Sequence, residues 1–306
     1  MKALKQASAA ILLFGLTALP TLAHAEIPGP VEAMIKSAAA TGDEAQLKAV
    51  VKAAKATNPG IGEEIEALAK KELAAAQTKA AAERQARLSS QGYFDGWDGE
   101  GQLGFGMSRG NTHETTGTLG LKLQKESLRF RHTITALADY GRTDGTTTRE
   151  KFNAAYALNY KFNGHMYIYG SGMWERDKFA GYSRRFTESL GIGYTAIDTP
   201  KMSLDLEAGP SLRQINYIDN THENQLAGRA SLSYQWKITD TLTFNQDASA
   251  LVASGDKTLV STTAFTSKLL GALSARLSFN VQHETNPPLG LKNTDTSTRL
   301  TAVYDF

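Results

Sequence analysis

The chain has no cysteine among its 306 residues. Disulfide bonds, thiol catalysis and zinc sites built on Cys ligands are therefore excluded. Beyond the N-terminal region it also lacks any apolar run of the ~20 residues that a membrane-spanning helix requires. If the protein lies in a membrane, it must cross that membrane with strands that close into a barrel.

The one apolar stretch, near the N-terminus, has the features of a secretory signal peptide. Two lysines precede it, and Ala23-His24-Ala25 places small residues at the positions that a signal peptidase recognises. An N-terminal membrane anchor is the alternative, but the run is shorter than ~20 residues and Pro20 ends it. We expect residues 1–25 to be a signal peptide that is removed on export.

The charge of the exported chain argues against nucleic acid as a partner. The formal net charge is +2, and removal of residues 1–25 takes away Lys2 and Lys5 and no acid, which leaves 0. Phosphate backbones are bound by a clustered positive field, which a neutral chain does not supply. No cofactor is expected either, because Gly104 and Gly106 lie in a strand pattern and not in a strand-to-helix phosphate loop.

Residues 26–91 are rich in Ala, Glu, Lys and Gln, which favour helices. Thr41-Gly42 and Asn58-Pro59-Gly60 interrupt the pattern, and Asp43 is placed to cap the helix that follows it. The apolar residues that recur at helical spacing are Val31, Met34, Ile35, Ala38, Leu47, Val50, Val51, Ala54, Ile61, Ile65, Leu68 and Leu73. We expect a small α-helical segment in the periplasm, where it could contact peptidoglycan or other periplasmic components.

From about Trp97 the period of the hydrophobic pattern changes to two. In residues 225–238, for example, Leu226 and Trp236 fall on one face and Arg229 on the other. About twelve such runs follow, each roughly 11 to 15 residues long, against about 5–6 for a typical globular strand and ~9–11 for the apolar band of a membrane strand. Residues 92–306 are therefore predicted to form an all-β, antiparallel transmembrane barrel of about 12 strands in the cell outer membrane, among the outer-membrane lipids.

Connections between the runs alternate in length. The short ones are Glu126-Ser127, Asn163-Gly164, Asp198-Thr199-Pro200, Thr239-Asp240 and Gly271-Ala272, and the longer polar ones are "RTDGTT", "DKFAGYSR", "YIDNTHE", "SGDKT" and "NPPLGLKNTD". Outer-membrane barrels have short periplasmic turns and longer external loops. An even number of strands puts both ends of the barrel on the periplasmic side, which agrees with a helical segment left in the periplasm.

The inward face of the predicted barrel carries charges of both signs. The candidates for the lumen lining are Arg129, Arg131, Asp205, Glu207, Arg213, Arg229, Asp247, Arg276 and Glu284. They could line a charged channel, or they could form a ladder of salt bridges that fills a narrow barrel, which is the interpretation we favour. A charge on the lipid face would cost ~2–4 kcal/mol at mid-membrane. This cost favours the inward face for these residues, but it does not distinguish a channel lining from a salt-bridge ladder.

The last residues, "TRLTAVYDF", form an alternating strand that ends on an aromatic residue. Leu300, Ala302, Tyr304 and Phe306 fall on one face of it. This ending resembles the terminal-strand signal that outer-membrane proteins present to the barrel assembly machinery, which we therefore expect to be a partner.

The start of the barrel, "WDGEGQLGFGMSRGNTHETTGTLGLKL", carries a family resemblance. Trp97, Gly99, Gly104 and the turn at residues 109–112 resemble the opening of the YdiY-like family, described as salt-induced outer-membrane proteins with a domain of unknown function, DUF481. The resemblance covers residues 96–306 and includes the "TAVYDF" ending. It implies an outer-membrane location and a link to salt, but no reaction and no catalytic residues.

These patterns leave three functions open. A non-enzymatic outer-membrane barrel, acting as a narrow channel or an envelope structural protein, is the leading hypothesis. A barrel enzyme acting on lipid or peptide is the alternative, since His113, Asp219 and His222 lie in predicted external loops. No pair of them has ligand spacing such as His-x-x-x-His, so a solvated loop explains them better. Strand length and turn alternation argue against the third option, a soluble periplasmic β-sandwich that binds a ligand.

Overall fold

A computed structural model describes residues 27–92, 94–108, 114–287 and 292–306. The predicted signal peptide, the Gly-Asn-Thr turn within residues 109–112 and His113 lie outside these ranges. The chain divides into two compact units, Met1–Lys79 and Ala80–Phe306. The first is helical over its described residues, and the second contains the strands.

The helices of the described chain are α1 (Gly29–Ala40), α2 (Glu44–Thr57) and α3 (Gly62–Ser90), with a 3₁₀ turn at Pro59–Ile61 before α3. Gly42 makes the turn after α1 with a positive φ of 70°, and Asp43 caps α2 by accepting hydrogen bonds from the backbone of Ala45 and Gln46. The buried core comprises Ile35, Ala38, Ala39, Leu47, Ala54, Ile61, Ile65 and Ala69. Met34, expected on the apolar face, is instead 51% exposed. None of the described helices is both long and apolar enough to cross a membrane.

The second unit is a closed antiparallel barrel. Its described strands are β1 (Trp97–Ser108), β2 (Glu114–Glu126), β3 (Phe130–Thr143), β4 (Thr146–Lys161), β5 (Met166–Asp177), β6 (Tyr182–Asp198), β7 (Met202–Tyr217), β8 (His222–Lys237), β9 (Leu242–Ala253), β10 (Asp256–Leu270), β11 (Leu273–Glu284) and β12 (Thr294–Asp305). Each strand pairs with the next along the chain, and β1 pairs with β12 to close the ring. The predicted barrel and its number of strands are confirmed.

The two-residue period of the sequence separates the two faces of this barrel. Along β8, Leu226 and Trp236 point outward and are exposed. Arg229 lies between them and points inward, where it contacts Glu207 of β7. Because successive side chains of a strand alternate between faces, the register places most apolar residues outside and most polar residues inside. Glu188, exposed on the outward face of β6, is an exception.

The barrel has two ends that differ in their connections. The terminal end contains the start of β1, the end of β12 and the turns at residues 127–129, 162–165, 199–201, 238–241 and 271–272. The far end contains the other connections. Both ends of the barrel sequence thus lie together, as an even number of strands requires.

Two of the predicted long loops at the far end are wrong in length, whereas the one predicted within "NPPLGLKNTD" falls in the nine-residue connection between β11 and β12. The connection within "RTDGTT" is only Asp144-Gly145, and that within "SGDKT" is only Ser254-Gly255. Asp144 and Gly145 have φ of 49° and 79°, and Gly255 has φ of 83°. Positive φ at these positions makes a two-residue hairpin, so the polar residues on either side continue the strands instead of forming a loop.

Candidate functional site: the barrel lumen

The barrel encloses a polar cavity of about 1190 Å³. It is lined by inward residues of the barrel strands, among them amides, hydroxyls, lysines, arginines and carboxylates. At the terminal end the lining extends to Asp240 and Thr241, which lie in the turn between β8 and β9. Toward the far end the last lining side chains on β5, β6 and β7 are Glu175, Arg185 and Arg213. Over the described residues, the lining of the cavity therefore reaches the terminal end and, on β5, β6 and β7, ends short of the far-end turns.

A layer of charged side chains crosses the lumen on the far side of the cavity. Arg185 of β6 donates two hydrogen bonds to Glu175 of the neighbouring strand, at 2.8 and 3.2 Å. Its third bond, 3.0 Å long, goes to Glu284 of β11, which belongs to the opposite wall. The guanidinium also stacks 4.3 Å from the ring centroid of Tyr182. One arginine thus bridges the lumen from wall to wall.

Further contacts across the lumen extend this layer. Arg213 of β7 donates to the hydroxyl of Thr258 on β10 at 2.8 Å. Lys151 of β4 donates to Gln282 of β11 at 3.3 Å, and Gln282 donates to Glu284 at 3.0 Å. We call the set Lys151, Glu175, Arg185, Arg213, Thr258, Gln282 and Glu284 the Arg185 layer. Charge-assisted bonds that join facing walls leave little room for a solute to pass.

A second group of ion pairs lies nearer the terminal end. Arg131 of β3 contacts Asp205 of β7 at 2.9 Å, and Arg229 contacts Glu207 at 3.1 Å. Tyr167 of β5 donates to Glu207 at 3.2 Å, and its ring lies under the Arg131 guanidinium. These contacts narrow the lumen on the side of β3 to β8, while the cavity continues along the other strands.

Glycines on two neighbouring strands make space for inward tyrosines. Tyr167 and Tyr169 are 2% and 1% exposed although they project into the lumen. Their rings cover Gly193 and Gly191 of β6, where a Cβ atom would overlap them. Gly209 of β7 lies so close to the backbone of Leu190 and Gly191 that a Cβ atom would overlap main-chain atoms. At this part of the barrel wall, β7 therefore approaches the backbone of β6 closely, and the two tyrosine rings pack against β6 from the inside.

Most of the predicted lumen residues do face the cavity. Those that line it are Arg131, Asp205, Glu207, Arg213, Arg229, Asp247 and Arg276. Glu284 belongs to the Arg185 layer. Arg129 differs from the expectation, because it lies in the exposed turn at residues 127–129, which closes when Ser127 bonds to Phe130 before β3 begins.

Sequence reasoning missed the central arginine of the far layer. Arg185 directly follows "DKFAGYSR", a stretch whose polarity predicts an external loop, and is not among the predicted lumen residues. The signal was present: Arg185, Thr187 and Ser189 alternate with Phe186 and Leu190. Glu175 and Tyr167 were also missed, since a charged or aromatic residue in a strand does not by itself identify its partner.

Each of the four histidines in the described chain has a hydrogen-bond partner. His132 is bonded to the hydroxyl of Tyr156, His165 to the carbonyl of Thr195, His222 to Asn216 and His283 to Thr294. A nucleophilic serine needs a base within hydrogen-bond reach and a group that orients that base. Among the described residues, no hydrogen bond joins any of these four histidines to a serine or a carboxylate. No group of three or more potential metal ligands occurs there either.

The C-terminal residues complete the barrel seam. Leu300, Ala302, Tyr304 and Phe306 are all exposed on the outward face. Phe306 exchanges two backbone hydrogen bonds with Gly99 of β1, of 2.7 and 2.8 Å, and its ring lies over Gly99, where a Cβ atom would overlap it. The last residue is thus part of the ladder that closes the ring.

Replacing both Tyr304 and Phe306 by Ser should reduce the membrane-assembled fraction of the protein by more than half. The backbone ladder would remain, but the outward aromatic surface of the closing strand would be lost. The fraction is measured as the band that shifts on heating in a gel of outer membranes. Replacing the intervening Asp305 by Asn is the control and should leave assembly unchanged; equal assembly of both variants would contradict the terminal-signal hypothesis.

Comparisons with known proteins give a family match and a curated relative. Residues 101–306 match the model of a family described as "Protein of unknown function, DUF481". The chain is 28% identical over 216 residues to the "Uncharacterized protein YdiY" of Escherichia coli (strain K12), an alignment that covers 69% of this chain and 83% of that protein. The family match thus includes nearly all of the barrel.

Solved β-barrel structures are similar to this chain at lower sequence identity. The NanC porin has a TM-score of 0.43 and 10% identity, covering 68% of this chain and 98% of its own. The translocator domain of the autotransporter NalP from Neisseria meningitidis has a TM-score of 0.40 and 13% identity, covering 76% and 97%. The KdgM porin in complex with disordered oligogalacturonate has a TM-score of 0.38 and 9% identity, covering 68% and 99%. The strand order described above establishes the fold independently of them.

Proposed function

The chain belongs to the family described as "Protein of unknown function, DUF481", and from this premise we propose that it is a non-enzymatic outer-membrane protein whose lumen is a narrow channel closed by the Arg185 layer. The observation that carries the proposal is the polar cavity that reaches the terminal end and stops at Glu175, Arg185 and Arg213. An envelope structural role is the second candidate, which is favoured by the ion pairs that join facing sides of the barrel.

The outward surface supports a membrane location. Its exposed side chains include Leu103, Phe105, Leu119, Leu190, Ile192, Leu226, Leu277 and Leu300. So much contiguous apolar surface is unfavourable in water and suits lipid. The shortest described strands have 12 residues, more than the ~9–11 that a tilted strand needs to span the hydrocarbon region. Because a closed ring leaves no backbone group unpaired at an edge, such a barrel is stable in a bilayer.

The orientation is part of the proposal. We place the terminal end in the periplasm, with the segment that precedes β1, and the far end outside the cell. Outer-membrane lipids and the barrel assembly machinery are the proposed partners, and peptidoglycan is a proposed contact of the helical segment. In this orientation the cavity opens to the periplasm, and the Arg185 layer separates it from the medium.

Cell fractionation tests the location. The mature protein should appear in the outer-membrane fraction and migrate faster before heating than after heating. A cysteine placed at Asn220, in a far-end turn, should react with an impermeant maleimide on intact cells, and one placed at Thr199, in a terminal-end turn, should react only after permeabilisation. Recovery as a soluble periplasmic protein would refute the location, and reversed labelling would refute the orientation.

Planar bilayer recording tests the channel. The wild-type protein should show near-zero conductance at 0.1 M KCl, because the Arg185 layer closes the lumen. Raising the salt to 1 M shortens the Debye length from about 10 Å to about 3 Å. The buried Arg185–Glu175 pair is screened little, so salt should act first on the more exposed contact to Glu284, whose side chain is 18% exposed. We propose that brief openings then become more frequent, and that this is the link to salt. A stable open wild-type pore at low salt would contradict the closed state.

A further inference from the structure

A second recess, of about 340 Å³, lies outside the lumen at the far end. Its lining includes Arg176 of β5, Lys178 in the turn that follows and Arg184 of β6. From the neighbouring hairpin it includes Asn216, Asn220 and His222. We call it the basic recess. It is not part of the channel, because Arg176 and Arg184 are next in sequence to Glu175 and Arg185, which face the lumen, and therefore point outward.

The position of the recess relative to the apolar band is defined by the strands themselves. Two residues before Arg176, the outward residue of β5 is Trp174, and two residues after Arg184, that of β6 is Phe186; both rings are exposed. Aromatic residues mark the interface between hydrocarbon and headgroups in membrane barrels. The basic recess thus begins where the aromatic residues of β5 and β6 end, at the level of lipid headgroups.

The charge of the recess is only partly compensated. Arg176 pairs with Glu150 of β4 at 3.1 Å. With the Asn216 amide oriented so that both of its ends are satisfied, its oxygen accepts from Arg184 and its nitrogen donates to Nδ1 of His222. Within the described ranges of the chain, neither Arg184 nor Lys178 forms a salt bridge. Of these three cations, only Arg176 therefore has a carboxylate as a salt-bridge partner within those ranges.

One more carboxylate lies in the adjoining turn. Asp219 accepts hydrogen bonds from the backbone and the hydroxyl of Thr221, at 2.9 and 2.6 Å. These bonds hold the pKa of Asp219 below its usual range, so it is ionised at neutral pH. Its acceptor capacity is directed at its own turn. Glu223 also lies at this hairpin, where it accepts from the hydroxyl of Tyr217 at 2.8 Å. Carboxylates near the recess thus equal the cations in number, but Lys178 and Arg184 have none as a salt-bridge partner among the described residues.

We propose that the basic recess binds a phosphate group of a phosphorylated saccharolipid, the lipid A class that forms the outer leaflet of Gram-negative outer membranes. Arginine and lysine at headgroup depth recognise anionic lipid phosphates, and a planar guanidinium suits phosphate oxygens. Asn220 and His222 lie beside the cations, where they can bond sugar hydroxyls. This inference rests on the proposed function, since it needs the far end to face the outer leaflet.

Lipid titration of the purified full chain in detergent tests the proposal. The ligands are bisphosphorylated lipid A, the same lipid after removal of both phosphates, and inorganic phosphate alone, with binding followed by native mass spectrometry. The wild type should bind the bisphosphorylated lipid preferentially. Arg184→Gln together with Arg176→Gln should weaken that binding at least about tenfold, as expected for the loss of charged hydrogen bonds.

The matched control is Arg142→Gln, combined with Lys257→Gln. Arg142 is an exposed far-end arginine that donates to Gly145, and Lys257 lies at the far end of β10. This control removes the same charge from the same end of the barrel and should leave affinity unchanged. An equal loss in the control, equal binding of the dephosphorylated lipid, or equally tight binding of inorganic phosphate would each overturn the proposal. Because the assay uses folded protein in detergent, its failure is distinct from failure of the fractionation experiment.

Discussion

Replacing Arg185 by Ala should destabilise the barrel by about 3–5 kcal/mol and make it conduct. The side chains of Arg185 and Glu175 are only 5% and 8% exposed. Removing the guanidinium leaves Glu175 and Glu284 as like charges in a poorly solvated space, with no arginine between them. It also removes the three hydrogen bonds by which one side chain of β6 joins β5 to β11. Denaturant titration in detergent measures the first effect, and bilayer recording measures the second.

Two further variants separate an open lumen from general damage. Adding Glu175→Ala to Arg185→Ala removes one uncompensated charge, so stability should partly recover while conductance stays at least as high. Arg276→Ala is the matched control, because Arg276 also forms a two-bond pair, with Glu100 at 2.5 and 2.7 Å. That pair is about 20% exposed and joins residues of the same wall. Its loss should cost less stability and leave the lumen closed; conductance in Arg276→Ala equal to that of Arg185→Ala would refute the gate.

The strand pattern could be predicted because it depends on local sequence. One buried face and one lipid face impose alternation on every strand, as Leu226, Arg229 and Trp236 show. Each misplaced residue would put a charge in lipid or an apolar group in the polar lumen. The far-end turns were mispredicted for a local reason as well. Polar residues around Asp144-Gly145 suggest a loop, yet strands that extend beyond the membrane carry polar residues on both faces.

The lumen contacts could not be predicted in the same way. Arg185 and Glu284 are 99 positions apart and meet only because the ring brings β6 opposite β11. Strand periodicity gives the direction of a side chain but not the shape of the ring or which walls face each other. The inward tyrosines Tyr167 and Tyr169 raise the same difficulty, since their space depends on glycines of the neighbouring strand.

Substitution of one of these glycines should have a large effect on barrel assembly. Replacing Gly209 by Ala should abolish assembly of the folded barrel, or cost at least about 3 kcal/mol, the upper end of overpacking costs. The new Cβ atom would overlap the carbonyl oxygen of Leu190 and the Cα atom of Gly191. Both are main-chain atoms of β6. To remove the overlap, β6 and β7 would have to move apart, which would weaken the backbone hydrogen bonds between them. The same substitution at Gly228 of β8 is the matched control, because nothing lies within 4 Å of its added Cβ atom.

A companion pair of variants shows whether the close approach of backbones is the cause. At Gly193 the nearest atoms to an added Cβ belong to the ring of Tyr167, so Gly193→Ala should also impair assembly. Here a side chain is the obstacle, and adding Tyr167→Ala should restore assembly. Tyr169→Ala should not rescue Gly209→Ala, because removing a ring does not move the main chain of β6. The heat-shifted gel band gives the folded fraction of each variant, and rescue of Gly209→Ala by Tyr169→Ala would show that ring packing, and not strand spacing, fixes this corner of the barrel.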